Sequence, residues 1–155
     1  MKAATTLACR FIETFGEKII TPIPELTRLA PSPELITKLN VDNIAQLGIV
    51  RARAKSIIAL AQACKSGELQ LDAGVNPESA IKRLEALPGI GPWTAHYIAM
   101  RALRWPDAFP RGDIAVLNSL GGVTPKQAEE LSQVWRPWRS YAVLHLWRNP
   151  PQAMK

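Results

Sequence analysis

Leu84-Glu85-Ala86-Leu87-Pro88-Gly89-Ile90-Gly91-Pro92-Trp93-Thr94-Ala95 is the most informative segment of the chain. A helix ends on its left, two glycines flank one isoleucine, and a second helix begins on its right. Glycines at such a turn let a ligand approach the backbone, and the first N–H groups of the new helix are unpaired donors. Those donors suit a phosphate of any nucleotide sequence. Two other readings compete. A dinucleotide-binding turn needs a preceding strand and a third glycine, but the segment before is helical and Thr94 stands at the third position. A plain joint between two antiparallel helices needs only the glycines.

Outward from the turn, the periodicity is helical almost throughout. Residues 3–15 put Ala4, Leu7, Ala8, Phe11, Ile12 and Phe15 on one amphipathic stripe. Pro22, Pro24, Pro31 and Pro33 punctuate short helical pieces at Glu25–Leu29 and Pro33–Leu39, and Gly48 reads as a C-terminal stop after Val41–Leu47. A longer helix covers 51–66, with Ala54, Ile57, Ile58, Ala61 and Cys64 facing inward. Asn76-Pro77-Glu78 opens a helix over 77–86, with Asn76 as cap, that buries Ala80, Ile81 and Leu84. Further helices are expected over 91–104, after Asp113, over 125–134 and over 138–148. No β alternation, long repeat or low-complexity tail interrupts the pattern. It predicts an all-α chain forming one domain over 1–155.

With 47% hydrophobic and 21% charged residues in 155, the balance is globular. No apolar run approaches the roughly eighteen residues that span a bilayer, and Arg10 cuts the Ala3–Cys9 stretch too early for a signal peptide. Cys9 and Cys64 are too few for a disulfide framework or an iron–sulfur cluster. The expected location is cytoplasmic. The formal charge of +6 is unevenly spread: residues 1–50 sum to zero, and the whole excess lies in 51–155, where Arg51, Arg53, Lys55 and Lys65 follow one another with no intervening acid. A localised basic excess points to a polyanion, most often nucleic acid.

Leu-Pro-Gly-Ile-Gly between two helices looks like the helix-hairpin-helix element that grips a DNA backbone. The chain further resembles the helix-hairpin-helix DNA glycosylase superfamily, in its 3-methyladenine DNA glycosylase II branch. Four matches carry the likeness: Leu87 to Ala95; Trp93 with Tyr97; Gly112-Asp113; and Trp135-Arg136-Pro137-Trp138-Arg139-Ser140-Tyr141 leading to His145-Leu146-Trp147. On this resemblance residues 1–76 are a variable helical half, and 77–148 hold the hairpin and the catalytic residues.

The resemblance implies a monofunctional enzyme of base excision repair that flips an alkylated purine such as 3-methyladenine out of duplex DNA and hydrolyses its bond to deoxyribose. Bifunctional members carry a lysine where Trp93 stands, and a tryptophan cannot form a Schiff base. Trp93, Tyr97 and Trp147 would line an aromatic pocket for a positively charged base. From spacing alone, Trp93 and Tyr97 equally suit a core face, with Ala95, Ile98, Ala99 and Ala102 on the packing side. Asp113 reads locally as a plain helix N-cap. The family places its essential aspartate there, to stabilise an oxocarbenium-like sugar or to orient a water. Asp107 is a weaker candidate for that role.

Gly89, Gly91 and Thr94 would hold DNA phosphate, although Pro92 removes one amide donor. No cofactor is needed for the chemistry, but the family binds a monovalent cation, Na or K, whose matching ligands are the backbone carbonyls of Glu85, Leu87 and Ile90. Arg136 and Arg139 are candidate DNA contacts, Trp135 and Trp138 are expected to lock the last helices together, and His96 and His145 read as structural.

Full-length relatives carry an N-terminal domain and an earlier start to the first helix, and Ser119 stands where close relatives tend to be basic. Apolar surface left bare by that difference would invite a homodimer or a partner chain. The competing function is a non-catalytic DNA-binding hairpin module or an inactive truncated glycosylase. A carboxylate at Asp113, which costs a pure binder affinity for a polyanion, separates the two.

Overall fold

The computed structural model describes residues 2–72 and 74–148. Nine α-helices are found among them: α1 (Lys2–Phe15), α2 (Pro33–Ile36), α3 (Val41–Ala45), α4 (Arg51–Ser66), α5 (Pro77–Glu85), α6 (Pro92–Arg101), α7 (Ile114–Ser119), α8 (Pro125–Ser132) and α9 (Arg139–Arg148). A 3-10 turn at Gln133–Trp135 joins α8 to α9. The described residues hold no strand, only an isolated antiparallel bridge between Lys18 and Arg28, so the chain is all-α as expected. None of their helices is long and apolar enough to cross a membrane. Internal contacts gather into two units. The first runs to Leu69 and includes Leu87–Gly89; the second holds Gln70–Ala86 and the chain from Ile90.

In the first unit α2 and α3 pack on α4. Ile44, Ile49 and Ala54 form the buried centre, and Leu7, Phe11 and Phe15 of α1 close over it together with Ile57 and Ile58. Of the predicted α1 stripe, Ala4 and Ala8 are exposed, so the packed face is narrower than the periodicity suggested. Side-chain caps fix the short helices: Ser32 accepts from Leu35 N, and Asn40 and Asn43 form a reciprocal capping box. Gly67, at a left-handed φ of 78°, terminates α4.

The helical piece expected at Glu25–Leu29 does not form. That segment instead pairs its backbone with the chain after α1: Ile19 N donates to Thr27 O and Leu29 N to Glu17 O, each at 2.9 Å. The Thr21 hydroxyl donates within the turn to the carbonyls of Ile23 and Leu26. Five residues between prolines gain one helical turn at most, and a nucleating turn fixes several dihedrals for a single hydrogen bond. The bridge supplies more.

In the second unit Asn76 caps α5, with Pro77 at the first position, and the helix buries Ala80, Ile81 and Leu84. Against it packs α6, burying Ala95, Ala99 and Met100. Expected to reach residue 104, α6 stops at Arg101, and Ala102 is exposed. Pro106 disfavours helix at Trp105, Arg104 takes a left-handed φ of 55°, and Trp105 N turns back to Ala99 O. The helices α7 and α8 pack on each other, and α7 also packs on α9.

Candidate active site

Asp113 ends a short loop and caps α7, accepting the Val116 N–H on Oδ1 at 3.0 Å. The same carboxylate takes two indole N–H groups. Trp93 Nε1 donates to Oδ2 at 2.9 Å, and Trp147 Nε1 donates to Oδ1 at 2.9 Å. Those tryptophans come from the second residue of α6 and the ninth of α9, so three elements converge on one side chain. Tyr97, one turn along α6, stacks on Trp93 with ring centroids 5.3 Å apart and planes 10° from parallel. Its ring lies 6.1 Å from that of Trp147. Trp93 and Tyr97 remain 40% and 36% exposed, so the aromatic wall beside the carboxylate is open to a ligand.

This constellation can do two things. An aromatic surface next to a negative charge attracts a flat cation, and a carboxylate already held by fixed donors needs little reorganisation as positive charge develops nearby. Trp93, Tyr97, Trp147 and Asp113, singled out separately in the sequence, are brought together here. The indole bonds to Asp113 had no local signal, because they join residues 20 and 34 positions apart.

The glycine turn divides in use. Gly89 sits at φ +76°, a conformation that favours glycine, and a Cβ there would also push the Ser56 hydroxyl of α4 aside. Gly91 has an ordinary extended backbone, and a Cβ would meet nothing within 4 Å; the fold itself does not require glycine at 91. The N–H groups of Gly91, Trp93 and Thr94 meet no acceptor among the described residues, the first intrahelical bond being Ala95 N to Gly91 O. Nor do the carbonyls of Glu85, Leu87 and Ile90 accept any hydrogen bond there. The described residues contain no cluster of three or more His, Cys, Asp or Glu side chains suited to a metal.

Behind Asp113, the loop from Trp105 is pinned by buried polar groups. Arg139 grips Asp107 through two bonds, Nε to Oδ1 at 2.8 Å and Nη2 to Oδ2 at 2.9 Å, and reaches Glu129 at 3.1 Å. Ser140 donates its N–H to Pro106 O and its hydroxyl to the carbonyls of Trp105 and Ala108. Asp107 is therefore a structural partner of Arg139, not an alternative to Asp113. Arg139, expected as a DNA contact, has a side chain only 3% exposed, because a bidentate carboxylate satisfies its planar fork better than water does. Arg136 is the exposed one of the pair. Trp135 packs half-buried against Phe109, whereas Trp138 stands exposed with its edge on Tyr141, so the expected lock falls to Trp135 alone.

His96, on α6 between Trp93 and Tyr97, accepts the Phe109 N–H on Nδ1 at 3.3 Å and stacks on Trp105. Burial pushes its imidazole below the ordinary value of 6.5, with Arg139 and Arg111 adding to the effect and Glu85 and Glu129 opposing it.

Helix–turn–helix geometry around a double-glycine turn, with an aspartate at the next helix start, defines a class, and sequence comparison agrees. The family described as HhH-GPD superfamily base excision DNA repair protein matches residues 1–140, and the chain belongs to it. Among relatives, the chain is 40% identical over 150 residues to a Mycobacterium tuberculosis protein named probable bifunctional transcriptional activator/DNA repair enzyme AlkA, covering 94% of this chain and 30% of that one. It is 35% identical over 144 residues to the Escherichia coli DNA-3-methyladenine glycosylase 2, covering 93% and 50%. The chain thus spans a half or less of the length of these curated relatives. A solved 3-methyladenine DNA-glycosylase from Archaeoglobus fulgidus shares the fold at a TM-score of 0.82 and 22% identity, over 97% of this chain and 53% of that one.

Proposed function

We propose that this chain carries the site of a monofunctional DNA glycosylase that releases alkylated purines, 3-methyladenine among them, from duplex DNA. One observation carries the reading: the Asp113 carboxylate is held by the indoles of Trp93 and Trp147 beside an open, stacked aromatic wall. The names of the relatives agree with it. Flipped from the duplex, an alkylated base stacks against Trp93, Tyr97 and Trp147, whose π-faces attract its positive charge. The bond from C1′ to the base nitrogen breaks, with its electron pair leaving on the base. Asp113 stabilises the cationic sugar or orients the attacking water, which adds to C1′ and gives up a proton. Position 93 offers no amine, so no covalent imine to the sugar forms there and no lyase step follows.

Gly91 favours a DNA backbone as the partner of the turn, since its missing side chain serves no internal need. The N–H groups of Gly91 and Thr94, which meet no acceptor among the described residues, support the same reading, and Gly89 at its positive φ keeps the turn tight. The carbonyls of Glu85, Leu87 and Ile90, free of donors among the described residues, have the oxygen chemistry a monovalent cation needs. Such an ion, Na or K, would place positive charge next to the phosphate. Beyond DNA, a second copy or another chain is proposed as partner for bare apolar surface, and the proposed location is the cytoplasm at the nucleoid.

The decisive experiment is single-turnover release of 3-methyladenine from methylated duplex DNA by this chain and by Asp113→Asn. Release that vanishes in the variant while DNA binding persists supports the enzyme. Steeply salt-dependent binding without release by either protein sinks it in favour of a non-catalytic DNA-binding module.

A further inference from the structure

The Asp113 carboxylate can meet both indoles only if the loop before it lies at one height along α6. Three residues separate Phe109 from Asp113, and they form a stiff segment: Pro110 is buried, Arg111 N turns back to Phe109 O at 2.8 Å, and Asp113 N donates to Pro110 O at 3.1 Å. A shift at Phe109 therefore moves Asp113. Phe109 is 1% exposed, so its N–H has no water to turn to and depends on the acceptor that faces it. That acceptor is His96 Nδ1, a side chain rather than a backbone carbonyl, and it sits on the helix that carries Trp93 and Tyr97.

We propose that His96 is a positioning residue: by accepting the Phe109 N–H it ties the Asp113 loop to α6 and so sets where the Asp113 carboxylate meets the Trp93 indole. The catalytic half of this inference rests on the glycosylase reading above; the geometric half does not. The opposite end of the loop is already secured to α9 by Arg139 and Ser140, and among the described residues His96 supplies the hydrogen bond that ties an α6 side chain to Phe109. Burial, which disfavours the charged imidazolium, keeps Nδ1 free to accept. The cavity of about 580 Å³ beside it is lined by charges of both signs, with Glu78, Glu85 and Lys82 from α5, Glu129 from α8, and Arg111, Arg136 and Arg139. No single sign prevails there to draw the imidazole away from Phe109.

Two roles for this imidazole predict opposite mutants. If the ring matters only as packing on Trp105, His96→Leu is tolerated and His96→Asn, which loses the ring, is the worse. If Nδ1 matters as an acceptor, Asn, whose amide oxygen falls near the Nδ1 position, preserves function and Leu does not. The test compares the two variants with the parent in two ways: the indole N–H resonances of Trp93 and Trp147 without DNA, and single-turnover 3-methyladenine release. The expected result is displaced indole resonances and a loss of about 10- to 100-fold in release for Leu, as small misplacements of reacting groups produce, with both restored in Asn. Parent-like resonances in Leu, or displaced ones in Asn, overturn the proposal. Should Leu fail to fold, the Asn resonances alone decide. If the parent releases no base, the glycosylase reading fails, while the indole comparison still decides the role of His96.

Discussion

The two units of this molecule are built on different principles. The first is centred on aliphatic side chains: Ile44, Ile49 and Ala54 are buried under Leu7, Phe11 and Phe15, and its ion pair between Arg51 and Asp42 lies in solvent. The second buries charge. Asp107 and Arg139 have side chains 8% and 3% exposed, and their pairing pins the loop that delivers Asp113 to α9. An apolar core tolerates exchange of one hydrophobe for another at little cost. A buried, hydrogen-bonded pair tolerates neither partner's loss, but it specifies one geometry. Non-directional packing suffices where only a scaffold is needed. Directional bonds appear where three side chains must meet at 2.9 Å.

The contrast breaks most sharply at Asp107. Asp107→Ala leaves Arg139 buried with half its partners gone, and should destabilise the fold by about 3–5 kcal/mol in denaturant melts. Ile44→Ala, at the fully buried centre of the first unit, should cost about 2–5 kcal/mol, while Ile44→Val should cost far less. A conservative exchange at the other site, Asp107→Asn, should instead retain most of the damage, because the amide cannot match the guanidinium fork.

Asp113→Asn should uncouple stability from chemistry. Asparagine caps a helix about as well as aspartate, so the melting temperature should hold, while single-turnover release falls by about 100-fold or more. Trp147→Phe, which keeps an aromatic ring but removes one donor from the carboxylate, should lower release by about tenfold. Equal rates in Trp147→Phe and the parent would mean that the indole bond only packs the site.

The smallest expected effect is on pH. Because the folded His96 pKa lies below its ordinary value of 6.5, the unfolded chain protonates first as pH falls. His96 then contributes its full stability above about pH 6.5 and loses it progressively on acidification below that. Thermal melts between pH 7.5 and 5 should show a shallower acid decline in His96→Asn than in the parent. Parallel declines would assign the slope to other groups.

Much of this was legible without coordinates. The helix starts at Pro33, Pro77 and Pro125 follow from a capping side chain and a proline whose fixed φ suits a first turn. The end of α4 follows from Gly67. Asp113 was visible as a cap, and it is one; its two indole partners were visible only as aromatic residues. Illegible were the backbone pairing that replaces a helix at Glu25–Leu29 and the burial of Arg139, which local sequence leaves indistinguishable from a surface arginine.

Legible in the chain alone was what depends on neighbours three or four positions away: helices, their caps, the tight glycine turn and the likeness to a family. Which polar groups meet across 20 to 34 residues depends on the packed molecule. Backbone hydrogen bonding within a helix is settled by local chain geometry, whereas partners far apart in sequence are chosen by how the elements pack. That packing is what turns a helix cap into a carboxylate held between two tryptophans.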